Sequence, residues 1–282
     1  MADIKLFVCC HRQVNVPDIP LLIPIQAGAA IADNRFSDFL HDDSGDNISE
    51  KNLSYCELTA QYWAWKNVEA EYYGFFHYRR YLYPDKNADR PYRIERELTA
   101  RKLNELGYGA FEELIKEYGI IAPIGENMYV SVRKHYENAP FHHIKDLDLA
   151  EQILREHHPE MTEALETYMS DTVCYFGNIY IMRRDIFQDY CAWLFPILEE
   201  FDRQTDMSGY SPQERRVDGY LAERLFGVYL TFRRNKLKVL ELPRVLFYDG
   251  KEYAKHKLLN AVLPPGSRRR SFIKQHKTSI KA

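Results

Sequence analysis

The sequence predicts an α/β fold in a single domain, on three observations. Short apolar runs of strand length alternate with helical patterns, polar turn-forming segments separate them, and a length of 282 residues suits one large α/β unit. With 45% hydrophobic and 28% charged residues, the chain has the balance of a globular protein that buries a full core.

Taken in order, Ile4–Cys10 is a β-branched and aromatic run that predicts a buried strand ending at His11-Arg12. Ligand sites in α/β sheets lie outside such carboxyl ends, which makes His11 a binding candidate. Pro24–Ile31 leads into a polar loop, His41–Ser49, rich in Asp, Asn, Ser and Gly. Ser54 and Glu57 have capping-box spacing and predict one helix reaching Asn67, with Trp63 and Trp65 as core residues. Tyr72–Tyr78 predicts a second buried strand that opens into Arg79-Arg80-Tyr81. Asp85–Arg93 is expected to be a polar loop, followed by helices over Glu95–Leu106 and Phe111–Tyr118 and a strand at Ile120–Pro123.

Asp148 is expected to cap a helix that runs to His157 and stops at Pro159. Thr172–Met182 is the longest strand-like run. Gly177-Asn178 at its centre predicts a bulge or a close backbone approach, and Asn178 is a binding candidate there. Asp185 is expected to cap the next helix, kinked at Pro196. Val217, Leu221, Leu225, Val228 and Phe232 form the stripe of a last long helix, and Tyr220, Glu223, Phe226 and Leu230 form a second stripe on it. The domain is expected to span residues 1–263. Residues 264–282 follow as a basic tail without a single acid.

Composition narrows the function classes. A formal net charge of −3 argues against a surface built to neutralise nucleic-acid phosphates. The five cysteines show no C-x-x-C spacing and form an odd set, so neither a disulfide framework nor a zinc ribbon is indicated. Neither a signal-peptide core nor a run of about 20 apolar residues is present, and a cytoplasmic location is expected. The basic tail offers contact with anionic lipid at the inner membrane face, or is a solvated end.

Three constellations can carry chemistry. His77, Arg79 and Arg80 stand at the end of the second strand, where cationic and hydrogen-bonding groups suit a diphosphate whose charge grows as a sugar–phosphate bond breaks. Asp46, Asn47 and Glu57 lie in and after the polar loop, able either to read a base, ribose or phosphate or simply to form turns and caps. Glu223, with Asp218 as its competitor, is a carboxylate among apolar neighbours that suits a general base, or else an ion-pair partner of Arg215, Arg216 or Arg224. Asp146-Leu-Asp148 is a formal metal-binding pair, but it lacks a preceding strand and reads as a helix cap. Asp42, Asp43 and Asp46 have no diagnostic spacing. No essential metal is expected, and the sequence leaves Mn or Mg open.

Pro24–Ala30, Asp46–Asn52, Tyr55–Thr59, Tyr62–Asn67, the His-Tyr-Arg-Arg-Tyr core within Gly74–Tyr81, and Asn178–Met182 together resemble the domain-of-unknown-function 4422 family. The resemblance spans about Lys5 to Leu230 and implies capsular, exopolysaccharide or O-antigen glycosyltransferases. It implies a GT-A-like nucleotide-binding mixed sheet flanked by helices, a nucleotide diphosphate sugar as donor and a glycan or lipid-linked glycan as acceptor. UDP-galactofuranose is the donor it favours. His77-Tyr-Arg-Arg80 stands where ordinary GT-A enzymes carry Asp-x-Asp, and Glu223-Arg-Leu matches the late motif better than Asp218 does. The expected reaction is an inverting transfer. A retaining transferase, a nucleotide-sugar hydrolase and a non-catalytic sugar-binding assembly protein are the alternatives.

Overall fold

The computed structural model describes residues 3–278, with side chains through Ile273. Its strands and helices follow in chain order as β1 (Ile4–Cys10), β2 (Leu22–Gln26), β3 (Leu40–His41), α1 (Asn52–Tyr55), α2 (Leu58–Asn67), β4 (Tyr72–His77), β5 (Arg80–Leu82), β6 (Tyr92–Glu95), α3 (Ala100–Glu105), α4 (Phe111–Lys116), β7 (Ile120–Pro123) and β8 (Glu126–Asn127). The carboxyl half continues with α5 (Val132–Asn138), α6 (Ile144–His157), α7 (Thr162–Ser170), β9 (Val173–Cys174), β10 (Tyr180–Arg183), α8 (Arg184–Gln204), α9 (Val217–Arg233), β11 (Val239–Leu242), β12 (Arg244–Phe247), α10 (Gly250–Val262) and α11 (Arg268–Thr278).

A mixed sheet orders its main path β11-β7-β10-β4-β1-β2-β3. β1 lies parallel to β2 and β4, whereas β10 runs antiparallel to both β4 and β7. Both faces of β1 are covered from Leu6 onward, which is why it reads as an apolar run after Lys5. Phe7 and Cys9 join a helix-rich core with α2 and α6–α9, while Leu6, Val8 and Cys10 join a second core with α3 and α4. Phe7 stacks on Phe75 of β4 at 5.4 Å and meets Trp63 edge-on, so Trp63 is core as expected. Burying each such ring stabilises the fold by ~1.5–3 kcal/mol. A side chain at Gly227 would overlap the Tyr168 ring, so the bare glycine is what lets α7 and α9 touch.

Several local expectations give way to distant partners. The Ser54/Glu57 capping box does not form: Cys56 takes φ 52° and breaks the helix into α1 and α2, Ser54 Oγ donates to Asp218, and Glu57 accepts from Asn178. The expected loop and helix around residue 95 instead contain β6, which pairs with β12, and only then α3. Asp148 is no cap, because α6 begins four residues earlier, and it pairs with Arg133. Asp185 likewise is no cap but lies in the first turn of α8, bonded to Arg183, and α8 carries Pro196 within its span. The Thr172–Met182 strand splits into β9 and β10 around Gly177 (φ 94°) and Asn178 (φ 48°).

The start of the basic segment packs back on the domain. Arg270 is buried, donates to the Leu263 carbonyl at 2.8 Å and lies over the Tyr92 ring, and Ser271 donates to the Asn127 carbonyl at 3.3 Å. Lys281 and its neighbours beyond residue 278 lie outside the described residues.

Candidate active site

The site begins where β1 and β4 end side by side, with Cys9 paired to His77. Beyond His77 the chain turns through Tyr78-Arg79 into β5, and His77 pairs across this hairpin with Arg80. Glycine is absent from the turn, and bonds from outside fix it. Tyr78 N donates to the Cys9 carbonyl at 3.2 Å, Phe247 N to the Arg79 carbonyl at 3.0 Å, and Arg79 N to His77 Nδ1 at 3.3 Å. Sequence reading placed the two arginines on a strand end; the structure places Arg79 in the turn of a hairpin and Arg80 at the start of its second strand.

Three chambers open around this corner. One of about 340 Å³ is lined by Cys9, Cys10, His11, Asn52, Glu57 and Arg216 among others. A central one of about 300 Å³ takes in His77, Arg79, Arg80, Arg216, Gly177 and Glu223. The third, about 620 Å³, is walled by Arg80, Glu223, Tyr92, Phe176, Arg244 and Arg270 with other side chains. His11, Cys56, Glu57, His77 and Arg216 border both the first and the central chamber, and Arg80 and Glu223 border both the central and the third. The result is one cleft with Arg80 and Glu223 at its waist.

Gly177 ties these two residues together. Its N–H donates to Glu223 Oε1 at 2.6 Å, and a side chain there would come within 3.7 Å of Arg80 Nη1. Glu223 Oε2 accepts from Arg224 at 2.7 Å, and the Arg224 guanidinium is buried over the rings of Tyr136 and Phe176. The sequence therefore led to both of its readings of Glu223 at once, an ion-pair partner and a cleft carboxylate. The apolar setting expected for it is replaced by two strong donors. Arg79 sits nearer the rim, its side chain 37% exposed, over the Tyr78 ring and 3.8 Å from Glu252 of α10.

Of the cationic and hydrogen-bonding groups expected at this strand end, His77 is of the hydrogen-bonding kind. Burial, then Arg80, His11 and Arg79, push its pKa down to about 2. Its Nδ1 accepts from Arg79 N, which leaves Nε2–H as the donor of a neutral ring. His11, 6.1 Å away ring to ring, is shifted downward by burial and then by Arg12, Arg216 and Arg79. Burial pushes Glu57 upward, and the Glu223 charge adds to it.

Two expected binding residues stand elsewhere. Asp46 accepts from Tyr62 OH at 3.1 Å, and its main chain is held by Asn67; Asn47 bonds only within its own turn, and neither lines the cleft. Their polarity serves the loop. Asn178 is buried and borders none of the three chambers, but its amide holds Glu57 at 2.9 Å and the Gly219 carbonyl at 3.1 Å. Among the residues that sequence reading missed as cleft members is Arg216, which borders two chambers and donates to Cys56 Sγ at 3.3 Å.

Among the described residues no three His, Cys, Asp or Glu side chains are grouped to hold a metal ion. Asp146 lies on α6 and accepts from Tyr210 OH at 2.7 Å, and Asp42 is used up by the N–H groups of Gly28 and Ala29 and by Ser49 Oγ.

Residues 5–235 match the family described as a domain of unknown function, DUF4422. The chain belongs to the DUF4422 family. Its fold is that of a solved glycosyltransferase, the apo form of the bifunctional enzyme WbbM, with a TM-score of 0.83 and 32% identity over 88% of this chain. This DUF4422 chain spans 46% of that longer one. No curated protein matches it by sequence. Among its described residues no helix is long and apolar enough to cross a membrane.

Asp218, the competitor of Glu223, borders none of the chambers described above and is fully buried at the start of α9. Burial pushes its carboxyl well above the ordinary range, with the charge of Asp202 adding to the effect. The folded state therefore holds a proton that the unfolded chain releases above about pH 4, and stability falls as pH rises from there toward the folded-state value. Asp218→Asn keeps an oxygen for Ser54 and removes this penalty. It is expected to raise the melting temperature by about 2–4 °C at pH 7 and to leave it unchanged near pH 4. Calorimetry at the two pH values checks this, and destabilisation at both would show that Asp218 is held as a needed anion.

Proposed function

We propose that this protein is a glycosyltransferase that moves a hexose from a nucleotide diphosphate sugar to a glycan or lipid-linked glycan acceptor. The observation that carries the reading is the waist of the cleft, where a guanidinium, Arg80, and a carboxylate, Glu223, face two chambers at once. The smaller chambers lie at the carboxyl end of β1, the position at which α/β sheets bind nucleotides. The larger chamber, with Tyr92, Phe176 and Tyr248 in its wall, offers the aromatic faces that suit a sugar acceptor.

In the transfer, Glu223 takes the proton of an acceptor hydroxyl while the oxygen attacks the anomeric carbon. The bond from that carbon to the diphosphate breaks, and the nucleoside diphosphate leaves with the electron pair, inverting the configuration. Arg80, Arg79 and Arg216 lie where they would balance the growing negative charge, and neutral His77 offers a hydrogen bond through Nε2–H. The likeness to WbbM supports a glycosyltransferase in general. UDP-galactofuranose and a capsular, exopolysaccharide or O-antigen product rest on the family resemblance, and a cytoplasmic site of action rests on the sequence composition.

The test is a thermal-shift screen of nucleotide sugars with and without EDTA. A bound donor at 100 times its Kd stabilises the fold by about 2.7 kcal/mol, a rise of several degrees. A rise that survives EDTA is expected with at least one uridine diphosphate sugar. No shift with any nucleotide sugar overturns the reading, and a shift that EDTA abolishes transfers the charge-balancing role to a cation.

A further inference from the structure

Nine of the chain's 38 Lys and Arg, but only one of its 41 Asp and Glu, fall in residues 250–282. That one acid, Glu252, is engaged by Arg79. α10 crosses this region with two unlike faces. Tyr253, His256, Asn260 and Leu263 are partly buried and turn inward, and His256 and Leu259 reach the wall of the large chamber. On the opposite side Lys251, Lys255, Leu258 and Val262 follow at helical spacing and are all exposed, Leu258 and Val262 each at 69%. Leu258 and Val262 lie one turn apart in line with the two lysines, so the outer face joins apolar and basic side chains in one strip. The exposed arginines Arg268 and Arg269 follow at the start of α11.

We infer that the outer face of α10, with the start of α11, docks the protein on an anionic lipid bilayer. Charge complementarity selects this occupant. A lysine and arginine cluster on a chain whose net charge is −3 matches the acidic headgroups of a membrane, and Leu258 and Val262 supply the apolar insertion that basic residues alone lack. The two signals act together, since either by itself holds a protein only weakly and reversibly at the surface. The inference goes beyond the proposed activity and does not require it. Its geometric consequence is that the helix facing lipid is also a wall of the large chamber, which then opens beside the bilayer.

Flotation of the full chain with vesicles tests this, comparing phosphatidylcholine alone with phosphatidylcholine containing about one third phosphatidylglycerol. Binding to the anionic vesicles is expected to exceed that to neutral ones by at least about tenfold and to fall steeply in high salt. The pair Leu258→Ser with Val262→Ser, and separately Lys251→Glu with Lys255→Glu, should each reduce it about tenfold while the melting temperature and nucleotide binding stay unchanged. Equal binding to both vesicle types, no binding, or full binding by the two variants overturns the proposal. A dimer seen by light scattering and abolished by the serine pair would assign the face to a second copy and overturn it as well.

Discussion

Arg80→Ala is expected to lower turnover about 10²–10³-fold, the loss that follows removal of one group aimed at developing charge. Arg80 borders both the central and the large chamber, and its guanidinium lies by Gly177. It is held by the β4–β5 hairpin, whose main-chain bonds do not involve its side chain. The alanine variant should therefore keep its melting temperature within a few degrees. Arg80→Lys should recover only part of the rate, because an ammonium supplies charge without the planar fork that grips two phosphate oxygens. Steady-state kinetics with a donor found by the screen checks both variants, and near-normal turnover in Arg80→Ala removes this residue from the mechanism.

Glu223→Gln is expected to cost more, about 10²–10⁴-fold in kcat, if the carboxylate is the base. Its structural effect can be separated. Two donors, Gly177 N–H and the Arg224 guanidinium, already face the two carboxylate oxygens. An amide can accept from only one of them and turns its own NH₂ toward the other, a mismatch of about 1–3 kcal/mol. A melting point lowered by several degrees should accompany the kinetic loss. The donor dissociation constant should change by no more than about threefold. If donor binding collapses in parallel with kcat, Glu223 shapes the pocket and does not take the proton.

The parts of this fold that were legible in the sequence are those dictated by neighbours along the chain. β1, β4 and β7 declare themselves because burial on both faces keeps polar residues to their ends, as at Lys5 and His77. The stripes of α9 show because 12 of its 17 residues are buried against the sheet and against other helices. What the sequence hid was decided across long separations. Ser54 and Glu57 have the spacing of a cap, yet one finds Asp218 at a separation of 164 residues and the other Asn178 at 121. Those partners outbid the local bond and leave Cys56 in the left-handed region.

The candidate site was legible to the same degree. His77, Arg79, Arg80, Glu57, Glu223 and His11 all reach the cleft, since strand ends and a helix carry them there. Asp46 and Asn47 do not, because turn chemistry and ligand chemistry call on the same side chains. Arg216 escaped notice among Arg215, Arg216 and Arg224, three arginines within ten residues. Only the fold separates them: Arg224 is buried under Glu223, and Arg216 alone of the three faces the two smaller chambers.

The single peptide N–H of Gly177 has a reach out of proportion to its size. It clasps Glu223, and the side-chain amide of the next residue, Asn178, clasps Glu57, so two adjacent residues hold one carboxylate at the waist and another in the chambers beside it. A movement of either acid would therefore be felt by the pair of residues that holds the other.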